Sequence, residues 1–596
     1  MQRLTARRRG RALASLITVA GLGIGAAAAV AGPAQSADPT GDCAVAFPEA
    51  DLAAGQDVTG LTVTHGTTPE GFTGKVLGVL DDGIAPDIDM IMVRLDSPEI
   101  ERVGIWQGMS GSPVYAEDGR LIGAVSYGLA MGPSPVAGVT PFEKMDDYLA
   151  ATASTVEVGP AAARTIAAHS DVSAAKARQG FAQLPMPMGV AGVGAAALAR
   201  ADHLRAGHSW LPRSTYAVGR ASSAAAGAND IVAGGNLAAS MTWGDVTMAG
   251  IGTATSVCGD RVVGFGHPMS WTGDTTLGMH PADAIYVQED LIAGFKVANL
   301  GDPVGTITDD RMSGIAGTLG PLPDTADLSV GLTHGDRSRT GVTHIADRTP
   351  DTMAWSTFYG ILADHQALVD GPVKGSEDLS WTVTGTGPDG AFSLSSSDLY
   401  TSTSDLTYRL GFSMGDIVYA LAQIPGVTID SITTDSDLVD SVSTLKISKV
   451  EAKQGGKWVR LKRHSGLAVR GGQVLHARVT LDGDGTSQVV PADLKVPAAF
   501  SGRMAFLQVL GGSQVGSGRM PRDIDEIQSW LEEQVRNDEM VLALTRGPRV
   551  HHGGSEGAGR TAVRGGDSDN PRTVQTVVGP FGSVVRGRFF SIGEVR

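Results

Sequence analysis

Cysteine is nearly absent from this 596-residue chain: only Cys43 and Cys258 occur. One pair, far apart in sequence, could form a disulfide but cannot be the main stabiliser of a chain this long. No CxxC and no HExxH pattern is present, so neither a zinc site of familiar spacing nor a cofactor is expected. Aromatic residues make up only 5%, which leaves Val, Leu, Ile and Ala to build the cores. Basic residues are outnumbered, 47 Lys and Arg against 63 Asp and Glu, for a formal net charge of -16. A surface of that sign repels phosphate, so nucleic acid is excluded as a partner class. Beyond the N-terminal region no stretch approaches the ~20 apolar residues of a membrane-crossing helix.

Glycine is abundant, at 80 residues. Helices tolerate glycine poorly while tight turns and bulges use it, so the fold class is read as mainly β. The length implies about three or four domains. Residues 1–31 read as a signal peptide: Arg3, Arg7, Arg8, Arg9 and Arg11 precede an Ala/Gly-rich apolar run that ends in Ala29-Val30-Ala31. A cut after Ala37, a twin-arginine route and an uncleaved anchor are alternatives. The expected location is secreted or cell envelope, with no stable membrane span after cleavage.

Residues 45–150 contain six short apolar runs between turns: Leu61–Thr64, Gly74–Leu80, Met90–Leu95, Ser112–Ala116, Leu121–Tyr127 and Ala137–Thr140. Six strands suffice for a small closed barrel, and Asp118-Gly119 between two of them is a hairpin signal. The segment 141–150 reads as a short closing helix. Residues 151–205 are Ala-rich and read as a helical connector. A second β-region spans 206–320, with strands at Asp245–Thr255, Arg261–Phe265 and Pro303–Leu319. Residues 321–440 are mixed, with a strand at Leu379–Val383 and a helix at Met414–Gln423. Residues 441–596 alternate like a β-sandwich. They also hold a helix bearing Ile524, Ile527, Leu531 and Val535 behind Asp523 as N-cap, and a Gly-rich stretch, 546–572, read as a mobile loop.

One segment carries chemistry. A serine hydroxyl needs a base to take its proton and an anion site to receive the carbonyl oxygen. In Gly108-Met109-Ser110-Gly111-Ser112-Pro113 the glycines permit a sharp turn, with the N–H groups of Gly108 and Ser110 as oxyanion donors. A Gly/Ser turn before a hairpin explains the same string by itself. The longer stretch 104–128, GIWQGMSGSPVYAEDGRLIGAVSYG, resembles the serine region of SpoIVB-type serine peptidases. That resemblance implies Ser110 as nucleophile, with Ser112 as the runner-up and a structural residue.

Most histidines have ordinary readings: His169 in the Ala-rich segment, His334 and His344 in loops, His476 on a strand, His551 and His552 near the end, and His65 on a strand without a flanking signature. His267 differs. It follows Val263-Gly264-Phe265-Gly266, and the stretch 249–259 before it, AGIGTATSVCG, resembles the family's histidine region, as Gly301-Asp302-Pro303-Val304-Gly305 resembles a later family segment. The resemblance implies His267 as base and Asp96, at a strand end before the serine, as the third member; Asp89 and Asp274 are alternatives. In the family the histidine region comes first, whereas here Ser110 precedes His267. The implied fold is therefore two chymotrypsin-like β-barrels in permuted order. The implied activity is a serine endopeptidase with a protein or peptide substrate and self-processing as an option. A catalytically silent cell-envelope binding protein on the same scaffold, and an esterase, are the competing readings. The esterase lacks a GxSxG elbow within an α/β pattern.

Overall fold

Alternating burial sets the first strands: in β1 (Asp57–Thr62) Val58, Gly60 and Thr62 are buried while Asp57 and Thr59 face water. The computed structural model describes residues 43–129, 132–145, 158–168, 173–178, 181–183, 188–212, 215–219, 221–222, 224, 226–291, 294–462, 467–483, 485–516, 521–549 and 572–596. The expected signal peptide and most of the Gly-rich stretch 546–572 lie outside them, as do His169, His551 and His552.

After β1 come β2 (Glu70–Ala85), β3 (Ile88–Asp96), β4 (Pro113–Ala116), β5 (Leu121–Leu129) and β6 (Val136–Pro141). Each overlaps one of the six expected runs, although β1 shares only Leu61 and Thr62 with the run expected at Leu61–Thr64. They pair antiparallel in the order β4-β1-β2-β3-β6-β5, and β4 pairs again with β5, so the sheet closes into a six-stranded barrel. Closure removes the exposed edges of the sheet. Val58, Val76, Ile91, Val93, Val114 and Val125 fill the interior. Ser97-Pro98 begins a helix, α1 (Pro98–Val103), capped by the Ser97 hydroxyl accepting the Ile100 N–H. Proline at the first helical position and a serine cap suffice for that start. Ile105, Trp106 and Met109 then bury themselves in the barrel core and anchor the serine loop. Of the expected closing helix, α2 (Phe142–Met145) is described.

The Ala-rich stretch holds α3 (Pro160–Ala168), α4 (Ala174–Ala177) and α5 (Ala195–Leu204), with β7 (Phe181–Gln183) on the edge of β5. Two short strands, β8 (Gly189–Ala191) and β9 (Tyr216–Ala217), join the next sheet.

A second antiparallel barrel follows. Its strands are β10 (Asn236–Gly244), β11 (Thr247–Cys258), β12 (Arg261–Gly264), β13 (Gly273–His280), β16 (Gly305–Arg311) and β17 (Gly314–Leu319), with the hairpin β14 (Ala282–Gln288) and β15 (Phe295–Leu300) between β13 and β16. The order β10-β13-β16-β17-β12-β11 closes through β10 and β11. β10 and β13 escaped the sequence reading because Ala, Gly, Ser and Thr make up about half of β10, and Gly and Thr half of β13, which blurs the alternation. The β14–β15 hairpin leaves its own barrel and bridges to the first, Ala284 to Gly66 and Phe295 to Gln107. A disulfide joins Cys43, ahead of the first barrel, to Cys258 at the end of β11.

The second barrel's sheet continues: β10 also pairs with β19 (Arg337–Ile345), which pairs with β18 (Ala326–His334), and beyond lie β20 (Gly375–Gly387), β21 (Gly390–Ser402) and β22 (Thr428–Val439). Helices α6 (Pro350–Val369) and α7 (Thr407–Ala422) contribute to the core against this extension. α6 is buried on nearly every side, so it carries no amphipathic period to read. Among the described residues, no helix is long and apolar enough to cross a membrane. Residues 444–595 form two five-stranded sheets around Val450, Val479, Leu481, Leu507, Val509 and Leu544, plus α8 (Ile524–Glu532), whose cap is the expected Asp523 and which ends before Val535, a residue the sequence spacing had placed on it.

Candidate active site

The serine loop owes its shape to its glycines. Gly108 has φ +96° and Gly111 φ +95°, a region that side chains disfavour. Space forbids side chains as well. A Cβ on Gly108 would stand 2.7 Å from Lys296 Cβ, and one on Gly111 would stand 1.9 Å from the Thr253 carbonyl oxygen. Within the loop, the N–H groups of Met109, Gly111 and Ser112 donate to Trp106, Val125 and Met109 carbonyls at 3.1, 2.7 and 2.9 Å. Those of Gly108 and Ser110 donate to no acceptor among the described residues. The Ser112 hydroxyl donates to Thr62 Oγ1 at 2.9 Å inside the barrel, a packing role.

His267 stands just past the end of β12. Two successive left-handed residues precede it, Phe265 at φ +67° and Gly266 at φ +69°. For buried Phe265 that conformation stores about 1–3 kcal/mol of strain. A Cβ on Gly266 would lie 1.9 Å from Ser126 Oγ, so the second barrel packs its turn directly against β5 of the first. The Thr140 hydroxyl, on β6, donates to the Gly266 carbonyl at 2.6 Å.

These two turns meet. Ser110 Oγ lies 2.8 Å from His267 Nε2, and the His267 Nδ1–H donates to the Pro268 carbonyl at 2.8 Å. A carbonyl can only accept, so the proton sits on Nδ1 and the Nε2 lone pair faces the serine. Both groups are enclosed: Ser110 is 2% exposed and His267 0%. Burial pushes the imidazole down to about 4, partly countered by the Pro268 bond.

The AGIGT stretch proves to be a clamp on the partner barrel. From β11, the Thr253 N–H donates to the Ser110 carbonyl at 2.8 Å. The Thr253 hydroxyl holds the Gly108 carbonyl at 3.1 Å, and the Thr255 hydroxyl holds that of Gly111 at 2.8 Å. Sequence reasoning missed this role, and also Asp310. That fully buried carboxylate, on β16, accepts from the Met269 and Ser270 N–H groups at 2.7 Å each. Lys296 was missed too. Its buried ammonium donates to Asn236 Oδ1 at 2.8 Å, and burial pushes it down to about 7. Only Lys296, in the mostly apolar β15 segment FKVANL, stood out as a lone charge; Thr253 shares β11 with Thr247, Thr255 and Ser256, and Asp310 follows Asp309 in the polar segment GTITDDR, so neither was marked by its neighbours.

Asp96 ends β3 opposite Thr73 and is exposed; no hydrogen bond joins it to His267. Asp89 accepts the Asp82 N–H at 2.6 Å, and Asp274 pairs with Arg311. His65 lies in the loop between β1 and β2. His334 and His344 lie on β18 and β19 rather than in loops and, like His476, pair with aspartates, Asp440, Asp327 and Asp493. A second Ser–His contact exists, Ser240 Oγ to His280 Nε2 at 2.7 Å, with Nδ1 donating to the Gly301 carbonyl. Ser240 sits mid-strand in β10, laddered on both sides, with no glycine turn around it. Proximity alone therefore does not make a site; the loop with two uncommitted N–H groups distinguishes Ser110.

Two closed six-stranded antiparallel barrels form a scaffold compatible with a double-barrel peptidase. No known family model, curated protein or solved structure matches the chain.

Proposed function

We propose that the chain is an exported serine endopeptidase of SpoIVB type with its two barrels in permuted order. The observation that carries this is the 2.8 Å Ser110 Oγ to His267 Nε2 contact across the barrel junction, beside the uncommitted N–H groups of Gly108 and Ser110. In this reading Ser110 Oγ attacks the scissile carbonyl carbon while Nε2 takes the hydroxyl proton. The carbonyl oxygen becomes an oxyanion and accepts from the two N–H groups. The tetrahedral adduct collapses, the C–N bond breaks, and Nε2–H returns its proton to the leaving amine. Water, deprotonated by Nε2, then hydrolyses the acyl-Ser110 ester and restores the hydroxyl.

The Pro268 carbonyl supports this by keeping the proton on Nδ1. Asp96, the acid implied by the family resemblance, is assigned no hydrogen bond in the cycle. Unchanged turnover in Asp96→Asn removes it from the site. The basic leader and the disulfide between Cys43 and Cys258 support export to an oxidising compartment, secreted or at the cell envelope. Processing of a restricted protein target, the chain itself included, fits an enclosed serine better than digestion does.

The near-complete burial of Ser110 and His267 favours a second reading, a silent binding protein on a peptidase scaffold. A fluorophosphonate probe separates the two. The peptidase reading expects covalent label on the Ser110 peptide, absent in Ser110→Ala and His267→Ala. A purified chain that never reacts, or that is labelled at another serine, supports the silent reading.

A further inference from the structure

The loop after His267 is held by one carboxylate. Asp310 is fully buried and turns both oxygens to this loop. Oδ1 accepts the Met269 N–H at 2.7 Å. Oδ2 accepts the Ser270 N–H at 2.7 Å and, at 3.4 Å each, the Thr272 N–H and hydroxyl. Residues on both sides of position 271 are thus tied to one point, so the chain folds back on itself there.

What this arrangement displays is Trp271. Its backbone is left-handed, φ +56°, a conformation that disfavours a bulky side chain. The residue stays 40% exposed. Single exposed apolar residues are ordinary on protein surfaces. Here, however, a strained backbone and a buried carboxylate together fix the residue's position. Relaxing the turn would relieve the strain, and burying the ring would be favoured by its apolar area. Neither has happened, in a chain with only eight tryptophans.

The location gives the display a use. Trp271 is four residues from His267, so their Cα atoms lie at most about 14 Å apart even along an extended path, and the turn shortens that. This is the span of a few substrate residues around a scissile bond. An indole exposed there offers an apolar surface with π character to whatever occupies that span.

We infer that Trp271 is a specificity-determining residue: it receives an apolar or aromatic side chain of a peptide substrate near the scissile bond. This rests on the peptidase reading. It assigns Trp271 no part in proton transfer or bond cleavage, which stay with Ser110 and His267.

The test uses the purified full chain, wild type, Trp271→Ala and Trp271→Phe, with two readouts. One is the rate at which a small alkyl fluorophosphonate labels Ser110, a probe too short to reach the tryptophan. The other is cleavage of a proteome-derived peptide library, with sites mapped by mass spectrometry and KM and kcat measured on the best peptide. The expected result is labelling within twofold for all three proteins. Trp271→Ala should lose about tenfold of its preference for an apolar side chain near the cut, mostly through KM, with recovery in Trp271→Phe. Unchanged site preference overturns the inference, as does labelling of wild type without any library cleavage. Parallel loss of labelling and cleavage in Trp271→Ala overturns it too, because the residue is then a structural support. Absence of label in wild type is a different failure, that of the peptidase reading itself.

Discussion

Titration of His267 is the most direct probe of the proposed chemistry. The perturbation is pH alone, from 8 down to 4, with Ser110 labelling by a fluorophosphonate as the assay. An ordinary imidazole titrates at about 6.5, and here burial pushes it down to about 4. A histidine acts as base only when neutral, so a lowered value extends activity toward acid. At pH 5 about nine-tenths of an imidazole with a pKa near 4 is neutral, against about 3% of an ordinary one, roughly a thirtyfold difference in competent protein. The labelling rate should therefore stay nearly flat from pH 8 to 5 and fall only through about 4. The same shift acts on stability. The unfolded chain protonates this histidine at its ordinary value and the native site resists, so stability is lost as pH falls from 6.5 toward 4. That loss amounts to about 3 kcal/mol from this residue. His280, also pushed down to about 4 by burial, steepens that slope. Circular dichroism at each pH corrects the rate for the folded fraction. An acid limb near 6.5–7 in folded protein refutes the reasoning: it would mean that a charged partner sustains the imidazolium, and the Pro268 carbonyl would no longer account for the base.

Further outcomes follow from contacts at the barrel junction and beyond. Thr253→Val removes the hydroxyl that holds the Gly108 carbonyl while preserving shape. Leaving a buried acceptor unpaired costs about 1–3 kcal/mol, so Ser110 labelling should slow about tenfold or more; an unchanged rate shows that the clamp does not position the loop. Replacing both Cys43 and Cys258 with serine opens a loop of 215 residues. Chain entropy predicts a loss of about 5.4 kcal/mol, read as a lowered urea midpoint; an unmoved midpoint refutes the constraint. In the extended sheet, His365 Nε2 pairs with Glu377 Oε2 at 3.0 Å, both buried. Burial lowers the imidazole but the Glu377 charge and hydrogen bond outweigh it, so its pKa is raised. The stability it adds is present below 6.5 and lost as pH rises through the raised value. Glu377→Gln should cost about 3–5 kcal/mol and abolish that pH dependence in thermal melts; a melt with unchanged pH dependence shows the pair is not the source.

Much of the first barrel was legible because its strands have apolar alternation and turns written locally. Asp118-Gly119 marks the β4–β5 hairpin, and Gly108 and Gly111 mark the left-handed positions of the serine loop. The second barrel was harder to read. β10 and β13 carry Ala, Gly and Thr where the first barrel carries Val and Ile, and small residues mask the period. α6 hid for another reason: it is buried on nearly every side, Ser356, Thr357, Asp364 and His365 included, so no contrast between a polar and an apolar face announces it. Asp96 shows the limit of spacing as a guide. A strand-end aspartate fifteen or so residues before a serine has the right address in one dimension, yet it faces water in three.

By itself, the sequence determined the short-range features: β-rich architecture, most strands of the first barrel, the capped helix behind Asp523, and two glycine-shaped turns bearing Ser110 and His267. Backbone sterics and two-residue periodicity act over a few positions, so they can be read locally. The tertiary structure alone decided that those turns meet, 157 residues apart, at 2.8 Å. It also decided that Thr253 and Thr255 grip the opposite barrel's loop, and that Asp310 fixes the turn displaying Trp271. The depressed pKa of His267 belongs to the same level. Burial, which is a property of the packed assembly and of no segment taken alone, sets it.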